Sequence, residues 1–264
     1  MKQYRTHFLV AAAMFIGLTF LPLFGSERTL DLFAREDGVF ETLTALYLFL
    51  IAVIFFAAFV LFQTPSFLLK LSYAGLALLF ALGAGEEVSW GERIFHWDDH
   101  NFIRDVNVQR ELTLHNLKYF QGEDSMIPVS ASQLFTVFAL TFAVLIPLAC
   151  TLSSGIHKFV AARFPLLPLY PGVLVVITYI FQKLMLRLLP LFPALYHHPT
   201  MPIPQGVHEI REHGYSLALL TSAIFYFAQE WAAKRVADSQ LVGNQVANAS
   251  PIMSVGMEHK GEKI

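Results

Sequence analysis

Residues 40–62 read FETLTALYLFLIAVIFFAAFVLF, and the 21 residues from Thr42 onward include no charged side chain. About 20 consecutive apolar residues are enough for an α-helix to cross the hydrocarbon core of a bilayer. The stretch therefore predicts a membrane-spanning helix. Five further apolar stretches predict spans near 8–24, 68–85, 132–152, 171–189 and 214–233.

The composition of the whole chain agrees with a membrane protein. Of 264 residues, 55% are hydrophobic and 14% are charged, whereas soluble domains carry about 25% charged residues. So few charges cannot cover a globular surface, which excludes a soluble cytosolic or secreted protein. The formal net charge of −2 lacks the basic excess of nucleic-acid binders, so no nucleic-acid partner is expected. The single cysteine, Cys150, excludes an intrachain disulfide.

The apolar pattern predicts an all-α fold, a polytopic bundle of about six transmembrane helices with a re-entrant or interfacial segment near 86–120. Because the sequence shows no internal repeat and no Gly-rich linker, residues 1–235 are predicted to form one transmembrane domain. Residues 236–264 are polar and weakly periodic, and they predict a disordered C-terminal tail. The stretch 8–24 resembles a signal peptide in its position but is followed by a poor cleavage site, so we predict a retained helix.

The ionisable residues are distributed unequally between the two sides of the predicted bundle. Lys and Arg divide evenly, but those on the side of the termini stand near span ends in short segments without acids. That placement counts most in the positive-inside rule, and it predicts cytoplasmic termini. The opposite, extracytoplasmic side carries 16 of the 20 acidic residues and seven of the ten histidines. Ionisable chemistry is therefore predicted at one membrane face.

Two polar blocks on that side carry most of the candidate chemistry, EEVSWGERIF at 86–95 and NVQRELTLHN at 107–116. Glu86 and Glu87 follow a short span, where a carboxylate near the hydrocarbon is costly unless it is paired or faces a cavity. On a continuous helix Glu86, Trp90 and Arg93 would share a face. A plain, solvated helix end is the alternative interpretation.

The second block contains a carboxylate and an imidazole at helical spacing. Glu111 and His115 stand four residues apart and would share one face of a helix. Such a pair can bind a metal ion, or the carboxylate can orient the imidazole for acid–base chemistry.

Both blocks resemble the paired EEISWGQR and N-x-Q-x-E-x-x-L-H-N motifs of a family of uncharacterised bacterial multipass membrane proteins. The chain differs from the family pattern at Val88, where the family has Ile, and at Glu92, where it has Gln. The resemblance covers residues 86–116 and implies a multipass protein of a bacterial inner membrane. Because the family has no established activity, it implies no function.

Two other groups of histidines and carboxylates are less specific. His96 and His100 flank Trp-Asp-Asp, a sequence typical of an exposed turn. The segment HEIREH at 208–213 has its histidines five residues apart, whereas a zincin needs them four apart. Its helical pairs, His208 with Glu212 and Glu209 with His213, can present two carboxylates and two imidazoles. They can equally form the hydrated start of the sixth span.

The fifth span contains two basic residues at helical spacing, Lys183 and Arg187. Two interpretations stay open. These side chains can neutralise Glu86 and Glu87 across the bundle, or they can bind an anionic substrate such as a lipid phosphate.

Together these features predict a polar pocket at the extracytoplasmic face. The first hypothesis is a metal-dependent hydrolase or transferase acting on a lipid or a lipid-linked anionic substrate. The predicted catalytic residues are Glu87, Glu111, His115 and Glu209. The predicted substrate-binding residues are Arg93, Lys183, Arg187, Asn116 and Trp90. The predicted ligands of a divalent metal such as zinc are His115, His208, Glu212 and His213.

Two alternatives belong to other functional classes. The first is a transporter or ion-coupled carrier that uses Glu86, Glu87 and Lys183. The second is a non-catalytic subunit of an envelope complex. The predicted partners are membrane lipid and either a second copy of the chain or another subunit of such a complex.

Overall fold

The computed structural model describes residues 2–20, 27–34, 38–91, 113, 130–188 and 203–249. The regular elements within these ranges are all helical, so the predicted all-α fold is confirmed for the described part of the chain. The longer helices are α1 (Lys2–Phe20), α2 (Glu27–Ala34), α3 (Val39–Leu61), α4 (Phe67–Glu87), α5 (Ala131–Leu152), α6 (Ser154–Ala161), α7 (Leu169–Leu188) and α8 (Ile203–Ala249).

Four helical segments are long and apolar enough to cross a membrane, as in an integral membrane protein. They are Leu32–Leu61, which contains α3, and the helices α4, α5 and α7. Helices α1 and α8, which cover most of the predicted spans 8–24 and 214–233, are not among these four. The predicted number of six spans is therefore not confirmed.

The middle of α8 is less apolar than the four spans because it is buried inside protein. Tyr215, Ala218 and Leu219 are at most 1% exposed, and Ser216 and Ser222 are fully buried. Ser222 donates a hydrogen bond to the carbonyl of Ala218, one turn earlier in the same helix (2.9 Å). A helix surrounded by protein can carry such polar residues, since they need not face lipid.

Helix α5 contains a π-helical segment, Thr141–Leu145, whose cause is visible in the sequence. Pro147 has no N–H to give to the carbonyl of Ala143, so the regular hydrogen-bond ladder cannot continue there. The N–H of Ile146 instead bonds to the carbonyl of Thr141, five residues earlier. Gly172 of α7 packs against the Ala143 carbonyl so closely that a Cβ at Gly172 would lie 2.0 Å from its oxygen. The proline and the glycine thus fix the contact between α5 and α7.

Helices α3 and α4 form an antiparallel pair, since only residues 62–66 connect them. An aromatic core fills the bundle beside this pair. The ring of Phe55 lies 6.0 Å from Phe80, 6.2 Å from Phe142 and 6.3 Å from Tyr226, measured between ring centroids. This core joins α3, α4, α5 and α8.

One end of the bundle is held by neutral hydroxyl groups, and we call it the hydroxyl end, defined by Ser66, Ser72, Tyr73 and Tyr226. Ser66 donates to the carbonyl of Ala162. Ser72 donates to the carbonyl of Arg163 (2.7 Å), and the hydroxyls of Tyr73 and Tyr226 bond to each other (2.5 Å). These contacts tie the start of α4 to the segment after α6 and to α8.

The chain forms two compact units, residues 1–226 and 227–264. In the second unit the ring of Phe227 stacks on Trp231, and Lys234 lies over the same indole. The predicted polar tail, 236–264, begins inside α8, which continues through Ala249. Residues 250–264 lie outside the described part of the chain.

Candidate functional site

The other end of the bundle gathers carboxylates from three helices. Glu41 lies in the first turn of α3, Glu86 and Glu87 in the last turn of α4, and Glu209 and Glu212 near the start of α8. The other four carboxylates lie close enough for their charges to act on Glu87. Among these four charges, that of Glu212 has the largest effect. We call these five residues the acidic end. Glu87 and Glu209, both predicted as catalytic, thus lie in one cluster.

The backbone adopts a left-handed conformation just after α4. Ser89, Trp90 and Gly91 have φ angles of 48°, 52° and 76°. A left-handed conformation costs a non-glycine residue roughly 1–2 kcal/mol, so contacts must hold this turn in place. The indole Nε1 of Trp90 donates to Oε1 of Glu86 (2.6 Å). Its ring also covers Gly85, where a Cβ would lie 2.7 Å from the indole.

The turn corrects one expectation from spacing. Because α4 ends at Glu87, Glu86 and Trp90 do not share the face of a continuous helix. Trp90 reaches Glu86 by folding back over Gly85. Its indole therefore orients a carboxylate of the acidic end.

A hydrogen-bonded chain runs from α5 to α8 beside the acidic end. Ser132, in the first turn of α5, donates its hydroxyl to Oε1 of Glu212. The same oxygen accepts a bond from Nη2 of Arg211 (3.0 Å). Arg211 is buried, and its Nε has no hydrogen-bond partner among the described residues. Glu212 thus accepts hydrogen bonds from a neutral hydroxyl and from a cation. The N–H at Nε of Arg211 makes no hydrogen bond within the described residues.

His213 is enclosed by aromatic rings. Its imidazole is fully buried, with its centroid 4.4 Å from that of Phe40 and 5.4 Å from that of Tyr47. It lies one residue before the predicted span 214–233, and burial lowers its pKa to about 4. Neither ring nitrogen has a hydrogen-bond partner in the described part of the chain. His213 is therefore neutral at physiological pH.

The basic residues predicted to meet an anion do not pair with the carboxylates of α4 among the described residues. Lys183 and Arg187 are exposed on α7, and neither forms an ion pair with Glu86 or Glu87 in the described structure. The ammonium of Lys183 lies over the ring of Tyr179, 5.5 Å from its centroid. Lys183 and Arg211 both lie close enough to His208 for their charges to act on it. Neutralisation of Glu86 and Glu87 by Lys183 and Arg187 is not observed.

Several predicted site residues lie outside the described residues, namely Arg93, Glu111, His115 and Asn116. From the second motif block the structure describes Thr113, which is buried. Within the described ranges, no group of three or more His, Cys, Asp or Glu side chains is arranged to hold a metal ion. The zinc site stays a prediction that involves His115.

Sequence reasoning missed three polar residues of this end, Ser132, Gln182 and Arg211. Gln182 lies within an apolar span, next to Lys183. A polar amide in that position was a detectable signal. Ser132 gave no signal, because its partner Glu212 is 80 residues away in sequence. Arg211 was visible inside the segment 208–213 but was passed over in favour of the neighbouring histidines and glutamates.

No protein-family model, curated protein or solved structure matches the chain significantly. The resemblance of the two motif blocks to an uncharacterised membrane family therefore stays a prediction.

Proposed function

We propose that this protein is a hydrolase or transferase of a bacterial inner membrane that acts on a lipid or a lipid-linked anionic substrate. In this proposal the chain has six spans and cytoplasmic termini, residues 86–120 form an interfacial segment, and the acidic end faces the extracytoplasmic side. The observation that carries the proposal is the convergence of five carboxylates beside the chain Ser132–Glu212–Arg211.

The geometry supports separate chemical roles for these groups. Glu87, at the end of a membrane-spanning helix, is placed to accept a proton from water or an alcohol at the lipid surface. The bonds from Ser132 and Arg211 hold Glu212 in a fixed orientation beside it. A metal ion bound by His115 with His208, Glu212 or His213 would supply Lewis-acid chemistry. The proposal does not depend on that metal, since the carboxylates alone can perform acid–base catalysis.

The test is turnover of a lipid extract. The purified protein is incubated with total bacterial lipids in mixed micelles, and substrate loss and product formation are followed by mass spectrometry. We expect conversion by the wild type and a loss of about 10²–10⁴-fold in Glu87→Gln, which keeps the shape but removes the base. Ser72→Ala, at the hydroxyl end, is the matched control and should retain full conversion. No conversion by the wild type, or equal rates in both variants, would contradict the proposal.

A second candidate, an ion-coupled carrier, is favoured by one specific observation. Four other carboxylates act on Glu87 at the end of α4, and an ionisable residue at the edge of a membrane span is a candidate for an ion path. Proteoliposomes with an imposed pH gradient test this candidate. Dissipation of the gradient by the wild type and not by Glu87→Gln, without any lipid conversion, would favour the carrier over the enzyme.

A further inference from the structure

A small cavity lies between α7 and the beginning of α8. Three polar residues, Thr178, Gln182 and Arg211, line it together with apolar side chains of both helices. It has room for about one water-sized group. Its walls are fixed on one side by Gly214, where an added Cβ would lie 2.6 Å from Cγ2 of Thr178. The cavity therefore sits at a tight helix contact beside the acidic end.

Two buried polar side chains line this cavity, and one of them has an N–H without a partner among the described residues. Nη2 of Arg211 donates to Glu212, but the buried Nε has no hydrogen-bond partner among the described residues. Gln182 is 4% exposed, and it lines the same cavity. A buried donor without an acceptor costs about 1–3 kcal/mol, so an acceptor oxygen beside the Nε of Arg211 would stabilise it.

Two cations lie near the cavity and can interact with a negative oxygen. Arg211 and Lys183 both act on His208, which places two cations next to this part of α8. The carboxylates of the acidic end oppose these cations, and one of them, Glu212, is hydrogen-bonded to Arg211 and Ser132. A guanidinium binds the oxygens of phosphates and carboxylates through charge-assisted hydrogen bonds, which are about twice as strong as neutral ones.

We propose that Arg211 and Gln182 form a subsite that holds one anionic oxygen of a phosphate or carboxylate group. The cavity admits that single oxygen, and the remainder of the group lies at its mouth near Lys183 and His208. This inference deepens the proposed function and rests on it for the identity of the ligand as the substrate's head group. It assigns the main anion contact to Arg211, whereas sequence spacing pointed to the exposed Lys183 and Arg187.

The experiment measures ligand binding by the full-length protein in neutral detergent, from the shift of its thermal unfolding midpoint with ligand concentration. The probes are phosphatidic acid and inorganic phosphate, with phosphatidylcholine as the zwitterionic reference. Stabilisation by phosphatidic acid alone identifies a lipid head group, and stabilisation by inorganic phosphate as well identifies a site for free anions. Both results support the anion subsite, and equal stabilisation by phosphatidic acid and phosphatidylcholine overturns it.

Variants locate the subsite. Gln182→Leu preserves the size of the side chain and leaves the Arg211–Glu212 pair intact, and it should weaken phosphatidic acid binding about tenfold. Gln182→Glu should weaken it further, because it places a negative charge beside the anion. Lys183→Ala removes an exposed charge and should weaken binding by less than about threefold. Arg163→Ala, at the far end of the bundle, is the control and should bind as the wild type does.

The assignment is overturned if Gln182→Leu binds phosphatidic acid like the wild type, or if Lys183→Ala loses as much affinity as Gln182→Leu. The two proposals fail separately. Anion binding without lipid turnover would remove the enzymatic proposal and leave the subsite. Turnover without selective anion binding would remove the subsite alone.

Discussion

The hydroxyl end and the acidic end of the bundle use polar groups in opposite ways. At the hydroxyl end each named serine or tyrosine hydroxyl bonds to a backbone carbonyl or to another hydroxyl. At the acidic end four carboxylates act on Glu87, and the Arg211 Nε and both His213 nitrogens have no partner among the described residues. The first arrangement joins helices at little electrostatic cost. The second is costly for folding alone, which favours a functional role.

The largest effect is expected from a substitution that disrupts the contact between α5 and α7. Gly172→Ala places a Cβ 2.0 Å from the Ala143 carbonyl oxygen, and overpacking against backbone should lower the free energy of unfolding by about 3 kcal/mol. Gly75→Ala is the matched control, since its Cβ meets no atom within 4 Å. Denaturation of the reconstituted protein in increasing SDS measures both. Equal stabilities of the two variants would contradict the described packing of α5 on α7.

The second prediction concerns the ion pair of the acidic end. Arg211→Met leaves Glu212 beside Glu87 without its cation and should cost about 3 kcal/mol of stability. The double variant Arg211→Met/Glu212→Gln removes the stranded charge, so it should regain at least half of that loss. Arg163→Met, an exposed arginine at the other end, should cost under about 0.5 kcal/mol. Strictly additive effects in the double variant would show that the pair is not coupled.

The third prediction is a dependence of stability on pH. The folded pKa of His213, about 4, lies below the ordinary value of 6.5. Between these pH values the unfolded chain binds more protons than the folded chain, so stability falls as pH falls through this window. We expect a loss of roughly 2 kcal/mol that is missing in His213→Phe, which preserves the packing against Phe40 and Tyr47. Parallel stability curves for the two proteins from pH 7 to pH 4 would refute this origin.

The smallest effect is expected at the hydroxyl end. Tyr73→Phe removes the hydroxyl that bonds to the buried Tyr226 hydroxyl, and it should cost about 1 kcal/mol. Adding Tyr226→Phe should restore part of the loss, because both polar groups are then gone. Lipid turnover and anion binding should stay at wild-type levels in both variants. If turnover fell by more than the amount of folded protein, the hydroxyl end would also contribute to function, and this prediction would be wrong.

The sequence predicted the parts of this structure that depend on local composition. The uncharged stretch at 42–62 predicted α3, and the carboxylates after the next apolar stretch predicted charges at the end of α4. The count of six spans was not confirmed at α1 and α8, and in α8 polar residues such as Ser216 and Ser222 are buried inside protein, which a hydropathy pattern does not take into account. The π-helical segment has a local cause in Pro147, yet its contact with Gly172 could not be predicted from local composition.

The candidate site was predictable in its components and not in its pairing. Glu87, Glu209, Glu212 and His213 were recognised because ionisable residues near a membrane span are costly. Their partners come from other helices, as Ser132 does for Glu212 and Phe40 for His213. Such pairs depend on how the helices pack, and spacing along one helix contains no information on that packing.

The central claim is that carboxylates from separate helices share one site at one end of the bundle. Cysteine cross-linking tests it most directly, with Glu87→Cys and Glu212→Cys combined in a Cys150→Ala background and treated with a short bifunctional maleimide. We predict efficient intramolecular cross-linking of this pair and none for Ser72→Cys with Glu212→Cys, which lie at opposite ends. Failure to cross-link the two cysteines introduced at positions 87 and 212, although each reacts singly with maleimide, would contradict the account.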